Sequence, residues 1–336
     1  MEFVKNTVKI ILFPIIFLFG YLYFLFTQKT LHLSYAAFRF LFVQTNGKIN
    51  NLLSSLISLG YKNEKTNESG ILGKLNESNM DSILKSIDDN GYFVFNQSLD
   101  DKDLDALMKF ALETKTKSID ITKKGVVYLP EKVLFNPENP ASPRYQFESI
   151  DVVQNEVVRK IVFDASLREI AGKYLKCKPI LDIVTMWWSV PFGNKATAQS
   201  AQMYHFDMDR FKFLKFFFYI TDVHTNNGPH CYIEGSHKTL PIEILSDRRL
   251  TDEELLEIYP KDKFIEFTGK KGSILAVDTR GLHKGKSLTE GKRLLFQIQF
   301  SNSLFGAEYE KLSILEKTVE EKNILHNYSK TYQLFN

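Results

Sequence analysis

The sequence predicts a mainly β domain, a double-stranded β-helix or cupin-like jelly roll with supporting helices, preceded by an N-terminal membrane helix. Three patterns predict it. Between residues 180 and 301, short apolar or alternating stretches recur with turn residues between them, as in closed β architectures. Just upstream, Val157, Ile161, Leu167, Ile170 and Leu175 recur at helical spacing, the mark of helices that cover a sheet. At the start, Ile10 to Phe26, IILFPIIFLFGYLYFLF, runs seventeen residues without a charge.

In chain order, the apolar run comes first. A helix needs about 20 apolar residues to cross a bilayer, with about 17 as the lower limit, whereas buried core stretches usually reach only about 10–14. Lys5 and Lys9 precede the run, Lys29 and Arg39 follow it, and Pro14 is tolerated in a membrane helix. A cleaved signal would need a small-residue site close behind, and Ser34-Tyr35-Ala36-Ala37 is a weak match. The expectation is an uncleaved anchor over residues 1–43, single-pass or monotopic. Within it, Leu31 to Val43 is interrupted by Arg39 and reads as an interfacial helix or the return half of a hairpin. Lys29, Arg39 and Lys48 add weak attraction to anionic lipid. Residues 44–73 are expected to be a linker, with GYKNEKTNESGILG from Gly60 to Gly73 as its polar part. Residues 74–336 are expected to be one catalytic domain.

In that domain, helices are predicted at Met80–Asp88, Leu99–Glu113, Asn155–Phe163 and Ser166–Leu175. Strands are predicted at Ile180–Val190, Ala201–Asp207, Phe213–Asp222, Cys231–Ile233, Lys263–Phe267, Ser273–Val277 and Arg293–Ser301. Leu250–Ile258 reads as an inserted helix with a capping box, Thr251 with Glu254 three residues on. Trp187, Trp188 and Phe216 to Tyr219 are core candidates. In the last strand Leu294, Phe296, Ile298 and Phe300 form an apolar face, while Arg293, Leu295, Gln297 and Gln299 form a mixed face suited to a polar pocket.

Net charge of +3 with 25% charged residues excludes no soluble class but marks no nucleic-acid partner. Two cysteines, Cys177 and Cys231, give no disulfide framework, which favours a cytoplasmic catalytic domain. The sequons at Asn67, Asn76, Asn96 and Asn327 point the other way if used; in an Asn- and Lys-rich chain they read as compositional.

The chemistry-bearing pattern is His205-Phe206-Asp207 in AQMYHFDMDR, followed by His283 in VDTRGLHKG and Arg293 ten residues on. On an extended segment, residues i and i+2 face one way, so His205 and Asp207 can share a metal, with the third ligand coming from any other strand. Two histidines and a carboxylate are the ligand set of non-haem Fe(II) oxygenases. An arginine fork holds a carboxylate bidentately, as a dicarboxylate co-substrate requires. His224, His230 and His237 cluster in sequence, but the spacing is not that of a structural zinc site, and adjacent His230 and Cys231 face opposite sides. His237 reads as a loop-holding residue, and His32 and His326 as surface.

The segments around these residues carry a family resemblance. KFLKFFFYITDVHTNNGPHCYIEGSHK places an aromatic strand, an Asn226-Asn227-Gly228-Pro229 turn and Gly235-Ser236-His237 after the His-x-Asp pair. GSILAVDTRGLHKG, DSILKSIDDNGYFVFNQSLD and VQNEVVRKIVFDASLREIAGKYLKCKPIL fit as distal-histidine strand, N-terminal helix with first strand, and middle helices. Over roughly residues 75 to 303 the chain resembles the phytanoyl-CoA dioxygenase family. The resemblance implies an enzyme using Fe(II), 2-oxoglutarate and O2, with His205, Asp207 and His283 as metal ligands and Arg293 as clamp for the distal carboxylate of 2-oxoglutarate. Arg280 and Lys292 stand next in line for the clamp. Asp207 rather than Asp209 takes the ligand role, and its presence favours hydroxylation over halogenation. Many members carry a hydroxyl residue two positions after the distal histidine; Gly285 stands there, with Ser287 and Thr289 nearby. Gln202 and Tyr204 either line the co-substrate site or pack on it. A small-molecule or lipid substrate is implied, and an anchor tilts the expectation towards lipid. Arg210, Lys212 and Lys215 are candidates for an anionic substrate, though solvated positions at a strand start are the simpler reading. Two other readings stay open: a cupin-like metal enzyme without 2-oxoglutarate, and a catalytically inactive membrane-tethered binding protein.

Overall fold

The computed structural model describes residues 2–61, 69–123, 126–193 and 200–336. Three helices open the chain: α1 (Glu2–Thr27), α2 (His32–Thr45) and α3 (Lys48–Ile57). Among the described residues α1 is the one helix long and apolar enough to cross a membrane, over Val8–Thr27. It has two apolar faces. Phe13, Ile16, Phe17, Tyr21 and Phe24 recur at helical spacing and pack on the chain, while Ile11, Ile15, Leu18, Leu22 and Phe26 lie opposite and are exposed. Gly20 lets α2 approach closely: a Cβ there would stand 1.8 Å from Ser34 Oγ. Phe13 meets Phe40 of α2, so α1 and α2 form an antiparallel hairpin, the second of the two arrangements expected for Leu31–Val43. Phe17 meets the rings of Phe211 and Phe305, and Phe24 meets Phe305. The hairpin therefore rests on the body of the protein.

The interval 44–73 is more structured than a linker. Lys48–Ile57 is helical, and Asn50, fully buried, donates to the Phe211 carbonyl at 2.9 Å. Its polarity hid a helix whose one inward face satisfies backbone groups of the domain. Residues 62–68, with the Asn67 sequon, lie outside the described residues. At the far end, the Ile71 and Leu72 amides donate to the Asp164 carboxylate and Ser166 hydroxyl.

The domain then builds α4 (Glu77–Asn90), β1 (Tyr92–Ser98), α5 (Asp101–Glu113), β2 (Thr116–Ile119), β3 (Tyr128–Val133) and β4 (Arg144–Gln146). Next come α6 (Ser149–Val152), α7 (Glu156–Val162), α8 (Ala165–Leu175), β5 (Ile180–Ser189), β6 (Phe213–Tyr219) and β7 (His230–Ile233). The last elements are α9 (Asp252–Leu256), β8 (Phe264–Phe267), β9 (Ser273–Val277), β10 (His283–Gly285), β11 (Arg293–Ser301) and α10 (Val319–Asn327). Side-chain caps set the helix starts: Asn76, Asp100, Asn155 and Asp164 each accept an amide of the first turn. The Thr251–Glu254 box has both halves, on a helix shorter than the predicted Leu250–Ile258.

Two antiparallel sheets make a jelly-roll-like core. The larger runs β1-β9-β6-β11-β5-β4-β2-β3 and the smaller β10-β7-β8. Alternation sorts the residues. Phe216, Phe218, Leu294, Phe296, Ile298 and Phe300 face the helix layer with α8 residues Leu167, Ile170 and Ala171. Phe217, Tyr219, Leu295 and Trp187 face inward towards Tyr232 and Phe267 of the smaller sheet. The mixed face of β11 thus lies inside the barrel.

Two expectations fail here. Ala201–Asp207 is not a continuous strand: Ala201 has φ 57°, and only Tyr204 and His205 make single bridges, to Leu250 and His283. The segment crosses between two others and pairs with each for one residue. β2, β3 and β4 were not predicted from sequence. They extend the large sheet to a polar edge, where β3 (YLPEKV, with Pro130) has no apolar alternation to read.

Candidate metal centre

The site is built where two segments are joined outside the main sheet. His205 N–H donates to the His283 carbonyl at 3.0 Å and His283 N–H to the His205 carbonyl at 2.8 Å, while Asp207 N–H donates to Thr279 at 2.8 Å. This pairing brings the two imidazoles to 4.3 Å between centroids. Asp207 reaches the same point, with Oδ1 3.7 Å from His205 Nε2 and Oδ2 3.4 Å from His283 Nε2. Each residue offers one ligand atom, all within 4.8 Å of one another, and among the described residues no other His, Cys, Asp or Glu group could hold a metal ion this way.

Both rings are oriented alike. His205 Nδ1 lies 2.9 Å from the Met203 carbonyl and His283 Nδ1 3.0 Å from that of Gly281. Donation through Nδ1 leaves each Nε2 lone pair free for a metal. Burial drives the His205 pKa down to about 3 and lowers that of His283, so both are neutral. Burial alone would raise the Asp207 carboxyl; the Lys215 ammonium bonded to it holds it well below its usual range. This donor set suits a divalent metal with open positions.

Lys215 is not solvated. It is 7% exposed, donates to Asp207 Oδ2 at 2.6 Å and lies 3.5 Å from Asp209. Arg210, 1% exposed, donates through Nε to Asp182 at 2.7 Å. Lys212 sits over the Tyr174 ring and donates to the Tyr174 carbonyl. The surface reading of these three fails because β6 is covered on both faces and its first residues are already inside. Lys215 holds one oxygen of Asp207 and orients the carboxylate, a role that sequence spacing did not reveal.

A cavity of about 630 Å³ opens beside the three residues, walled by Trp187, Phe217, His230, Gly285, Arg293 and Leu295 among others. Arg293 is 5% exposed; its Nη2 donates to Ser189 Oγ at 3.3 Å and its Nε has no partner. No carboxylate among the described residues pairs with it. Burial lowers its pKa to about 10, which leaves it a cation at neutral pH. Arg280, by contrast, is locked to Asp278 by Nη2 at 2.5 Å, and Lys292 is exposed. Gly285 lies against the Arg293 fork, where an added Cβ would stand 3.4 Å from Nη2. Gln202 is buried and Ser287 has a buried hydroxyl with no partner, but neither lines the cavity. Tyr204 packs against Phe264 instead. His237 Nε2 is 3.1 Å from the Asp88 carbonyl, holding the loop as expected.

Two cavity residues escaped the sequence reading. His230 lies 5.4 Å from the His283 ring and 4.6 Å from Phe217, with Nε2 unpartnered. The parity that separated it from Cys231 also turns it inward with Tyr232. Arg144, on the three-residue β4, carried no periodic signal at all.

A jelly roll whose mouth gathers two neutral histidines and a carboxylate, beside a buried unpaired arginine, is the architecture of an iron- and 2-oxoglutarate-dependent oxygenase. Residues 87–294 match the family model of phytanoyl-CoA dioxygenase (PhyH). The chain belongs to the phytanoyl-CoA dioxygenase family, and is an Fe(II)/2-oxoglutarate-dependent oxygenase-type enzyme. No curated protein matches the sequence significantly. Solved structures resemble it at low identity. The non-haem α-ketoglutarate-dependent epimerase SnoN of nogalamycin biosynthesis is 15% identical, with 67% of this chain and 83% of that one covered and a TM-score of 0.45. EvdO2 from Micromonospora carbonacea var. aurantiaca is 13% identical, with 72% and 97% covered and a TM-score of 0.48. HygX from Streptomyces hygroscopicus, with nickel, 2-oxoglutarate and hygromycin B bound, is 16% identical, with 74% and 94% covered and a TM-score of 0.44.

Proposed function

We propose that this enzyme hydroxylates a carbon of a lipid, lipid-linked or small-metabolite substrate, and that it does so at a membrane surface. In this reading His205, Asp207 and His283 hold Fe(II), and Arg293 holds the distal carboxylate of 2-oxoglutarate. The observation that carries it is the pairing of three ligand atoms within 4.8 Å with a buried guanidinium that has no anionic partner on the same cavity wall. Bound Fe(II), with 2-oxoglutarate and O2, supplies the oxidising power to insert one oxygen into a C–H bond, with succinate and CO2 released. The chain supplies the rest. The Met203 and Gly281 carbonyls keep each imidazole turned with Nε2 inward. Lys215 steadies the Asp207 carboxylate. Arg293 fixes the co-substrate, and Trp187, Phe217 and Leu295 exclude water. Ser287 and Gln202, both off the cavity wall, are given no role. Asp207 favours hydroxylation over halogenation.

The membrane part of the reading rests on α1. Its outer face is apolar over Val8–Thr27 and exposed, and an apolar face of that length is suited to lipid. Because its inner face rests on Phe211 and Phe305, in-plane monotopic insertion is favoured over a free span. A groove of about 850 Å³ between α1, α2 and Glu308 shares Tyr35, Arg39 and Asp247 with a recess of about 310 Å³, and the recess shares His205 and Asp207 with the main cavity. This continuity of walls supports a substrate that arrives from the membrane side. The free, buried Cys177 and Cys231 suit a cytoplasmic catalytic face.

The test compares lipid and metabolite extracts of cells carrying the wild type or His205→Ala. A product heavier by one oxygen in the wild type alone supports the reading, and its absence together with no metal-dependent succinate from purified enzyme removes it. Succinate release that survives Arg293→Ala unchanged favours a metal enzyme without this clamp.

A further inference from the structure

The cavity wall holds a second arginine that makes no ion pair with a carboxylate among the described residues. Arg144 lines the same wall as Arg293. The two are in one row across the sheet: Arg144 pairs with Ser189 on β5, and Ser189 pairs with Arg293 on β11. Two strand spacings put their backbones roughly 10 Å apart.

Arg144 is held in place from two sides. Its guanidinium lies over the Trp187 ring, 4.2 Å from the centroid, and its Nη2 donates to Gln146 Oε1 at 2.7 Å. Gln146 is fixed in turn, its Nε2 donating to Thr185 Oγ1 at 2.5 Å and to the Met186 carbonyl at 3.0 Å, so its oxygen faces the arginine. Arg144 Nε is buried without any partner, and no side-chain bond is made by Nη1. Arg144 as a whole is half-buried, and partial desolvation of its guanidinium lowers its pKa.

Three of the acids on the cavity wall are engaged elsewhere, while Glu308 and Glu310 on the same wall are exposed to solvent. Glu148 is bridged by Lys117 and Lys132, Asp182 by Arg210, and Asp207 by Lys215. A buried charge left unpaired is costly unless a ligand completes it. A planar fork with free N–H groups matches an anionic oxygen pair.

We propose that Arg144 is the anchor for an anionic group, a carboxylate or phosphate, on the primary substrate. The proposal rests on the reading of Arg293 as the co-substrate clamp: with that guanidinium taken, Arg144 is the second anion position, across the cavity. The substrate class is then an anionic amphiphile or metabolite whose reactive carbon lies towards the metal residues and whose charged end lies against Trp187.

Trp187 provides the signal for the test. Indole emission of the full chain in detergent, loaded with Fe(II) without O2 and saturated with 2-oxoglutarate, is titrated with butyrate, butyl phosphate and neutral butyramide. Saturable quenching by at least one anion and none by butyramide is expected, and the stronger anion separates the carboxylate from the phosphate source. Arg144→Gln should weaken that response by at least about tenfold, with Arg144→Lys in between because the fork is lost. The 2-oxoglutarate affinity of Arg144→Gln, measured separately, should match the wild type and serves as the folding control. The proposal is overturned by a response equal for butyramide, unchanged in Arg144→Gln or absent for both anions, and equally by a loss of 2-oxoglutarate affinity like that of Arg293→Ala. If the wild type fails to bind 2-oxoglutarate, the clamp reading falls, and the anion titration without it still decides for or against Arg144.

Discussion

Near Asp182 and Asp278, two buried arginines each meet a carboxylate. Arg210 donates to Asp182, which also accepts from Gln299, and Arg280 is locked to Asp278, which accepts from Tyr174 at 2.6 Å. On the cavity wall, the buried Arg293 and the half-buried Arg144 lie among Ser189, Gln146 and Trp187 and meet no carboxylate among the described residues. The two regions lie in one barrel and use the same residue type. Closed pairs fix how the segments meet; open guanidinia keep N–H groups for something the chain does not contain. On the proposed reading, the difference separates residues that hold the fold from residues that meet a ligand.

The comparison breaks most sharply at the metal residues. His205→Ala and His283→Ala should abolish turnover and iron retention in the full chain in detergent, read by succinate release and metal analysis. Asp207→Ala should lose hydroxylation as well. Full activity in Asp207→Ala with a dead Asp209→Ala would move the carboxylate ligand by two residues.

Next in size is the closed region. Arg210→Met strands the Asp182 carboxylate in the interior, and breaking a buried pair costs about 3–5 kcal/mol. A large fall in Tm should follow, much of it recovered in Arg210→Met/Asp182→Leu. A Tm unchanged in the single variant would show the pair to be solvated.

The open region should respond in the opposite way. Arg293→Ala removes a charge-assisted bond of roughly 1.5–3 kcal/mol, so the 2-oxoglutarate KM should rise at least about tenfold, since about 1.4 kcal/mol is a factor of ten. Tm should fall little or rise, because an unpaired buried cation is removed. Arg293→Lys should restore part of the affinity, and iron binding should survive both changes. An unchanged KM would move the clamp elsewhere in the cavity.

The smallest effect is a contrast in pH dependence between neighbouring lysines. Burial lowers the Lys212 pKa from 10.5 to about 8, despite Asp278 and Asp88, so between these values the unfolded chain binds more protons and stability rises with pH. Lys212→Met should flatten this rise in denaturant titrations across that window. Lys215 has the opposite sign. Burial opposes its charge, but Asp207 and Asp209 raise its pKa overall, so its contribution is full below the ordinary lysine value and is lost as pH rises through the higher folded value. A slope unaltered by Lys212→Met would mean that its charge is balanced in the folded chain.

Local chemistry determined much of this protein from sequence alone. The caps at Asn155 and Thr251, the limits of β9 and β11, the two faces of β11 and the apolar run of α1 all depend on residues within a few positions of one another. The His-x-Asp pattern marked His205 and Asp207 as candidates to share a metal, and the family resemblance, not spacing, pointed to His283 and Arg293. Tertiary structure decided what depends on long-range pairing. His283 meets His205 through a single backbone bridge that leaves no periodic trace, and the same crossing kept Ala201–Asp207 from being a strand. Lys215 is inside because β6 is covered on both faces, and α3 is docked because Asn50 finds a carbonyl 161 residues away. Arg144 faces the cavity because the polar edge strands continue the sheet one row beyond Ser189. A sequence states the charge of an arginine; only the fold decides whether a carboxylate reaches it, because ion pairing depends on distances that chain connectivity leaves free.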